Sequence, residues 1–389
     1  MTTPLGGYQN EIYLHGLADQ LPPFTVDTTK LADSAREVLE PGPYWYVKGG
    51  AGSGATMRAN REAFDKWRIV PRMLRDAHAR DVSTSVLGTT LPAPVLLAPI
   101  GVQSIVHEEG ELATARAASS LGVPMILSTA SSNTIEDVAA ANGTGPRWFQ
   151  LYWPNDPDVC VSILNRAAKA GFTTLVVTLD TWTLAWRPND LDRSYLPFLR
   201  GTGTAITFSD PVFRSGLAAP PEEDIPSAVL KWVPLYTGTD RNWEALPFLR
   251  EHWDGPIVLK GIQHVDDARR AADAGMDGIV VSNHGGRQLD GAIASLDALP
   301  GIANAVGDRM AILFDSGIRT GADILKAIAL GAQAVLLGRP YVWGLAHGGE
   351  DGVRQVVRSL LADFDLTVAL SGHHSIAELT PDSLTRVAS

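Results

Sequence analysis

AILFDSGIRTGADILKAIALGAQAVLLG, residues Ala311–Gly338, is the stretch that decides the fold. Ala311–Asp315 is a short aliphatic run with one polar residue at its end, as expected of a strand buried on both faces. Gly321–Leu330 follows, with apolar residues three and four apart, the spacing of one helix face. Ala334–Gly338 is a second buried strand. Strand, helix and strand in that order describe two parallel strands joined by a crossover helix.

The same rhythm runs back towards the N terminus. Pro94–Pro99, Pro124–Ser128, Arg147–Tyr152, Thr174–Asp180, Pro256–Lys260 and Gly278–Ser282 are further buried-strand runs. Helical spacing recurs at Gly110–Leu121, Asp158–Ala170 and His264–Ala274. Strands alternating with helices predict the α/β class, and their number predicts a closed (β/α)8 TIM barrel over residues 91–389. Residues 1–90 hold no βα unit. Thr29–Leu39 reads as a helix and Gly42–Ala51 contains a turn, so this stretch is expected to be a helical cap or lid within a single domain spanning 1–389. Residues 188–255 form a long loop excursion after strand four, with Asn242–His252 as the helix that completes that unit. Excursions of that length in compact domains are functional or mobile.

Composition narrows the function classes. A chain of 389 residues with 45% hydrophobic and 19% charged residues is globular. Its net charge of −11 argues against a nucleic-acid partner. The one cysteine, Cys160, excludes an intramolecular disulfide and a Cys-ligated zinc site, and its helical setting makes it a packing residue. No apolar run approaches the ~18–20 residues of a membrane span. With no secretory pattern at the start, a cytoplasmic protein without a membrane partner is expected. Gly50-Ala51-Gly52-Ser53-Gly54 follows no apolar strand, so it is not read as a dinucleotide loop. His107-Glu108-Glu109 lacks the second histidine of a zinc HExxH motif, and His373-His374 has no evident ligand partners, so no metal is expected.

In a TIM barrel the chemistry sits at the C-terminal ends of the strands. Here nearly every run closes on polar groups: Ser128, Gln150 with Tyr152, Thr178 with Asp180, Lys260, Ser282 with His284, Asp315 with Arg319, and Gly338 with Arg339. Buried polar groups need partners, and a ring of them is satisfied together by a large polar ligand. Asp315-Ser316-Gly317-Ile318-Arg319-Thr320-Gly321 and Gly338-Arg339-Pro340 have the glycines, arginines and helix start of a phosphate site. Ser282-Asn283-His284-Gly285-Gly286-Arg287-Gln288 puts an imidazole and a guanidinium in one loop. The first suits proton abstraction near neutral pH and the second suits clamping a carboxylate. Asp180 is placed to support the imidazolium. These residues alone leave three classes open: a flavin enzyme, a flavin-free phosphate-binding barrel enzyme, and a non-catalytic barrel.

That heptapeptide, together with Leu97–Gly101 (LAPIG), Phe149–Tyr152 (FQLY), Val177–Thr181 (VTLDT), Leu259–Gly261 (LKG) and Phe314–Arg319 (FDSGIR), resembles the FMN-dependent 2-hydroxy-acid oxidase and dehydrogenase family. Within it the chain is most similar to the lactate 2-monooxygenases, through Tyr8–Tyr13 (YQNEIY), Trp186-Arg187-Pro188 and Leu196–Gly201 (LPFLRG). The resemblance implies FMN as cofactor, and a small L-2-hydroxy acid and oxygen as substrates. It implies His284 as the base, Asp180 as its partner, Lys260 beside flavin N1 and O2, and Tyr152 near the substrate hydroxyl. Tyr46, Arg187 and Arg287 would hold the substrate. Gly101, Ser128, Gln150, Thr178 and Ser282 would surround the flavin ring, and Asp315, Arg319, Gly338 and Arg339 its ribityl and phosphate groups. That likeness implies conversion of lactate to acetate, carbon dioxide and water; because loops commonly gate product release, the 188–255 excursion is the expected gate. The alternative is an oxidase releasing keto acid and hydrogen peroxide. Ala130 and Leu289-Asp290-Gly291 depart from the monooxygenase pattern, and the small Ala130 would admit longer or aromatic acids. Family habit implies a homotetramer.

Overall fold

The computed structural model describes residues 5–76, 80–238 and 240–387. Eight parallel strands close into a barrel: β1 (Val95–Leu97), β2 (Met125–Ser128), β3 (Arg147–Leu151), β4 (Leu175–Thr178), β5 (Ile257–Ile262), β6 (Gly278–Val281), β7 (Ala311–Phe314) and β8 (Ala334–Leu337). They coincide with the runs read as strands from the sequence. The helix following each strand unit is α1 (Gly110–Leu121), α2 (Ile135–Asn142), α3 (Pro157–Lys169), α4 (Leu246–His252), α5 (Val265–Asp273), α6 (Ser295–Val306), α7 (Gly321–Ala329) and α8 (Arg339–Leu370). α8 is interrupted by non-helical backbone at Gly348 and Gly349. No helix among the described residues is long and apolar enough to cross a membrane.

Side chains alternate along a strand, and this alternation builds the site. Leu96, Ile126, Trp148, Val176, Val258, Val280, Leu313 and Leu336 form one buried cluster inside the barrel. Two residues further along each strand, on the same inward face, come Ala98, Ser128, Gln150, Thr178, Lys260, Ser282, Asp315 and Gly338. The polar ring is therefore the next layer of the same column. The alternate residues, among them Leu97, Leu127, Phe149, Val177, Leu259, Val281, Phe314 and Leu337, are buried under the helices. Both faces being dry explains why the runs are apolar throughout.

The lower end of the barrel is plugged. A hairpin of Thr84–Val86 and Thr89–Leu91 adds Val86 and Leu91 to the inner cluster. Trp148 Nε1 donates to Thr89 Oγ1 at 3.0 Å, so the polar edge of this buried indole is satisfied. A ligand therefore enters from the opposite mouth.

The N-terminal cap differs from its sequence reading in two places. Pro41–Lys48 is a helix where a turn is expected. Pro41 and Pro43 sit in its first turn, where a missing N–H costs nothing. Helix at Thr29–Leu39 contracts to Leu31–Ala35. Two further helices, Tyr8–Gly16 and Ala55–Asp65, complete the cap, and Trp67–Ile69 pairs antiparallel with Leu384–Arg386. The 188–255 excursion is not a bare loop either. It folds into short helices Pro188–Leu191, Ala205–Phe208, Pro211–Ser215 and Ile225–Trp232. Asp210 and Asp224 cap two of them by accepting from Val212 N and Ser227 N. Asn242–His252 divides into a 3-10 turn, Trp243–Ala245, and α4.

Candidate active site

A cavity of about 380 Å³ occupies the C-terminal mouth. Tyr46, Gly101, Tyr152, Arg187, Lys260, His284, Arg287, Asp315, Arg319, Gly338 and Arg339 all line it. Asp180, Ser128, Gln150, Thr178 and Ser282 are not among its lining residues; Asp180 pairs with His284, Ser282 with Lys260 and Ser128 with Gln150, and Thr178 stands beside Lys260 on the neighbouring strand. Strand register sets this layer, placing Ser128 opposite Gln150 and Thr178 opposite Lys260.

His284 follows β6 with a φ of 58°, and Gly285 and Gly286 continue the left-handed turn. A Cβ at Gly286 would stand 2.7 Å from the Met57 backbone nitrogen, so the cap helix can rest there only on glycine. A non-glycine residue in that conformation is the kind of local strain that functional sites hold. His284 Nδ1 lies 2.8 Å from Asp180 Oδ1. Thr181 Oγ1 donates to the same carboxylate oxygen at 2.9 Å and stands 3.3 Å from Nδ1.

Burial lowers the His284 pKa below the ordinary imidazole value. Asp180 opposes the shift, and Lys260 and Arg187 add to it. Burial alone would raise Asp180, but His284 and Lys260 overcome it and hold the carboxyl at about 2. The pair is thus an ionised carboxylate beside a neutral imidazole. Nδ1 carries the proton towards Asp180, which leaves Nε2 as the free base.

Lys260 is 3% exposed. Its Nζ sits 3.1 Å from Asp315 Oδ2 and donates to Ser282 Oγ at 3.0 Å. Burial works against its charge, but Asp315 and Asp180 outweigh burial and raise the pKa, so a cation is fixed in the cavity wall. Burial, with Asp180 nearby, pushes the Tyr152 phenol up to about 12, so it remains a proton donor.

Four arginines converge on the mouth with backbone oxygens as their main partners. Arg287 Nη1 donates to Tyr46 O and Gly49 O, and its guanidinium lies 5.0 Å from the Tyr46 ring centroid. Arg187 donates to Arg287 O and Gln288 Oε1, and burial and Arg287 bring its pKa to about 10. Arg319 donates to Ile318 O; burial and Arg61 bring it to about 10. Arg339 donates to the carbonyls of Val47, Gly285 and Gly49, and burial, Arg287 and Arg319 depress it strongly. Mutually repelling cations held on carbonyl oxygens make a strong anion site.

FMN fits this mouth on three observations. Gln150 accepts from Ser128 Oγ through Oε1, while its buried Nε2 has no partner among the described residues and is a donor awaiting a ring acceptor. Gly101 runs so close to the β2 loop that a Cβ would stand 2.0 Å from Ala130 O, which leaves bare backbone on the cavity. Arg319 and Arg339, at the ends of β7 and β8, supply the phosphate charge that those strand ends commonly hold. These residues define a class, the barrel oxidoreductases that carry FMN.

Comparison with known proteins makes the class specific. The family model described as FMN-dependent dehydrogenase matches residues 35–386, and the chain belongs to that family. It is 51% identical to an FMN-dependent alpha-hydroxy acid dehydrogenase of Penicillium citrinum over 387 residues, covering 98% of this chain and 96% of that one. It is 43% identical to an L-lactate oxidase of Lysinibacillus sphaericus, covering 94% of each chain. A crystal structure of mandelate oxidase superposes with a TM-score of 0.82 at 38% identity, covering 94% of this chain and 99% of that one. The protein is an FMN-dependent oxidoreductase of 2-hydroxy acids.

Sequence reading missed several residues. Thr181 braces the dyad, and Gln288 holds Arg187 while donating to Asp180 O and Thr183 O. Ser316 Oγ accepts from Asn283 N and Gly285 N and donates to Asp315, joining the β6 and β7 loops. All three lie inside the quoted motifs, but the links they make join distant loops, which spacing along the chain does not show. The apolar part of the lining, including Leu184, Leu196, Phe198, Leu199, Trp232 and Tyr236, also went unassigned. Its signal was the run of aromatics in the excursion. Away from the mouth, Cys160 is buried with its thiol pushed up to about 12 by burial. His373 is held between Ser371 and Ser383. No cluster among the described residues could hold a metal ion.

Proposed function

We propose that this chain oxidises a 2-hydroxy acid with an apolar side chain larger than the methyl of lactate, releasing the 2-keto acid, with oxygen as electron acceptor. The observation that carries this reading is the apolar part of the cavity lining, where Leu196, Phe198, Leu199, Trp232 and Tyr236 join the small Ala130 around one cavity. Phe198 and Trp232 stack with ring centroids 5.3 Å apart, and Thr207 meets the Tyr236 hydroxyl at 2.9 Å, so the wall is ordered by its own contacts. The likeness to mandelate oxidase supports an aromatic group.

In this mechanism Arg287, with Tyr46 and Arg187 beside it, binds the substrate carboxylate. Tyr152, held as a neutral phenol, donates to the substrate hydroxyl oxygen. His284 Nε2 takes a proton from the substrate, and Asp180 and Thr181 hold the ring in the tautomer that frees that nitrogen. The imidazolium that forms is stabilised by the Asp180 carboxylate. FMN, when bound, accepts two electrons from the substrate and passes them to oxygen. Lys260 would hold the flavin ring from the cavity wall and supply fixed positive charge to stabilise its reduced form. The apolar wall excludes water and selects the side chain.

Oxygen uptake with a panel of hydroxy acids, followed by product analysis, tests this reading. Keto acid and peroxide from aromatic or long-chain acids are expected. Efficient use of lactate with carbon dioxide release would favour the second reading, lactate 2-monooxygenase, in which the same wall traps the keto acid until peroxide decarboxylates it. Filling the cavity at Ala130 with Ala130→Leu is expected to cut kcat/KM for large acids by roughly 10- to 100-fold, since each misfitting methylene in such a pocket costs about 1–3 kcal/mol. Glycolate and lactate should be affected little. An equal loss for all acids would show that Ala130 does not face the side chain.

The pH profile follows from the dyad. Only neutral His284 accepts the proton, and burial lowers its pKa. Activity should therefore rise with pH through a pKa below the free-imidazole value of about 6.5, then stay level to neutrality. Asp180→Asn removes the group that supports the charged ring, so this limb should move to still lower pH while the plateau rate falls. A limb centred above the free value would contradict a buried base.

A further inference from the structure

We propose that Glu111 is a positioning residue that locks the Gly101 loop and the Ala130 loop together as one wall of the cavity. Glu111 stands on α1 and is 0% exposed. Its Oε1 accepts from Gln103 N at 3.0 Å and its Oε2 from Asn133 Nδ2 at 3.0 Å. The backbone N–H of Ser132 is a further donor. One carboxylate thus bridges the loop after β1, which carries Gly101, and the loop after β2, which carries Ala130. Its partners among the described residues are N–H donors, none of them cationic. Burying a carboxylate this way is costly unless those donors are held in place.

Gln103 passes the constraint towards the cavity. Its Nε2 donates to Ile100 O at 3.0 Å and to Tyr341 Oη at 3.3 Å, and its Oε1 accepts from Thr114 Oγ1 at 2.6 Å. Tyr341 donates to Ala98 O at 2.8 Å. The β1 end and the residue before Gly101 are therefore both tied to this network. A second link between the loops runs from Ser104 N to Ser132 Oγ at 3.2 Å, and Ala205 N donates to Ser131 O, bringing the excursion onto the same loop. Gly101 and Ala130 meet at the end of these links, with no room for a Cβ between them, and both line the cavity. Glu111 is not among the residues that line the cavity and acts through the loops it joins.

The inference rests on FMN occupying the cavity, not on which acid is oxidised. Its test uses FMN-loaded Glu111→Gln and Glu111→Leu proteins and sulphite, which adds reversibly to the flavin ring and bleaches it. Every partner of Glu111 is a donor, so Gln turns an N–H against an N–H at one site, and Leu loses all the bonds. A displacement of about 1 Å in a catalytic wall can cost about a hundredfold, so Leu should weaken sulphite affinity and slow anaerobic reduction by roughly 10- to 100-fold. Gln, which keeps one acceptor, should lose roughly 3- to 10-fold in both. Melting temperature is read alongside. Variants that melt earlier yet keep wild-type sulphite affinity and reduction rate per bound FMN would overturn the inference. If the Leu protein does not load FMN, the Gln protein decides on the same criterion. Failure of the proposed function would look different, since no hydroxy acid would reduce the wild type while the sulphite contrast remained.

Discussion

Replacing His284 with alanine is expected to slow flavin reduction by substrate about 10³- to 10⁴-fold, the upper range for loss of a general base. FMN should stay bound, because the Ser128–Gln150 hydrogen bond and the Lys260–Asp315 pair do not depend on the imidazole. The variant also leaves the buried Asp180 carboxylate without its main partner, and its Oδ2 already has none among the described residues. A stability loss is therefore expected alongside the kinetic one. His284→Asn is the better-folded companion, since asparagine tolerates the φ of 58° that the loop imposes. Both variants should be yellow and nearly inert. Turnover within a few-fold of the wild type in either would remove His284 from the mechanism.

Arg287→Met is expected to have the second largest effect, chiefly on binding. Truncating one partner of a desolvated charge pair costs about 2–5 kcal/mol, so KM for hydroxy acids should rise roughly 30-fold or more. Arg287 also bonds Tyr46 O and Gly49 O, so part of any loss could come from loosening the cap. A neutral 2-hydroxy amide separates the two. If the guanidinium clamps the carboxylate, the variant should lose affinity for the acid and not for the amide. Equal losses for both would assign Arg287 to holding the cap helix alone.

Much of the architecture is legible in the residues because both faces of every strand are dry. Leu175–Thr178 is apolar up to its closing threonine and Ala334–Leu337 throughout, as short strands buried on both faces are. The ring of polar strand ends is legible as a ring: Lys260 or Gln150 alone can be satisfied by a neighbour, as Asp315 and Ser128 do here, but polar groups at nearly every strand end together call for a large polar ligand. α6 was hidden by Pro300 in its interior, which breaks the helical pattern it belongs to. The cap helix Pro41–Lys48 was hidden by prolines that read as a turn but sit harmlessly in a first turn. Contacts between loops far apart in sequence, such as Ser316 to Gly285, are made by backbone groups that every residue carries. The apolar wall depends on how the excursion folds back over the mouth, which is a tertiary fact. Side-chain preference is therefore the part of the function that the chain reveals last.

One measurement bears most directly on the whole reading: the rate at which flavin absorbance bleaches when FMN-loaded protein meets glycolate, lactate, 2-hydroxyoctanoate and mandelate without oxygen. Bleaching should be fastest with the long-chain or aromatic acids, slow with glycolate and lactate, and absent in His284→Ala. No bleaching with any acid would contradict hydroxy-acid oxidation at this mouth, and fastest bleaching with lactate would contradict the enlarged apolar pocket.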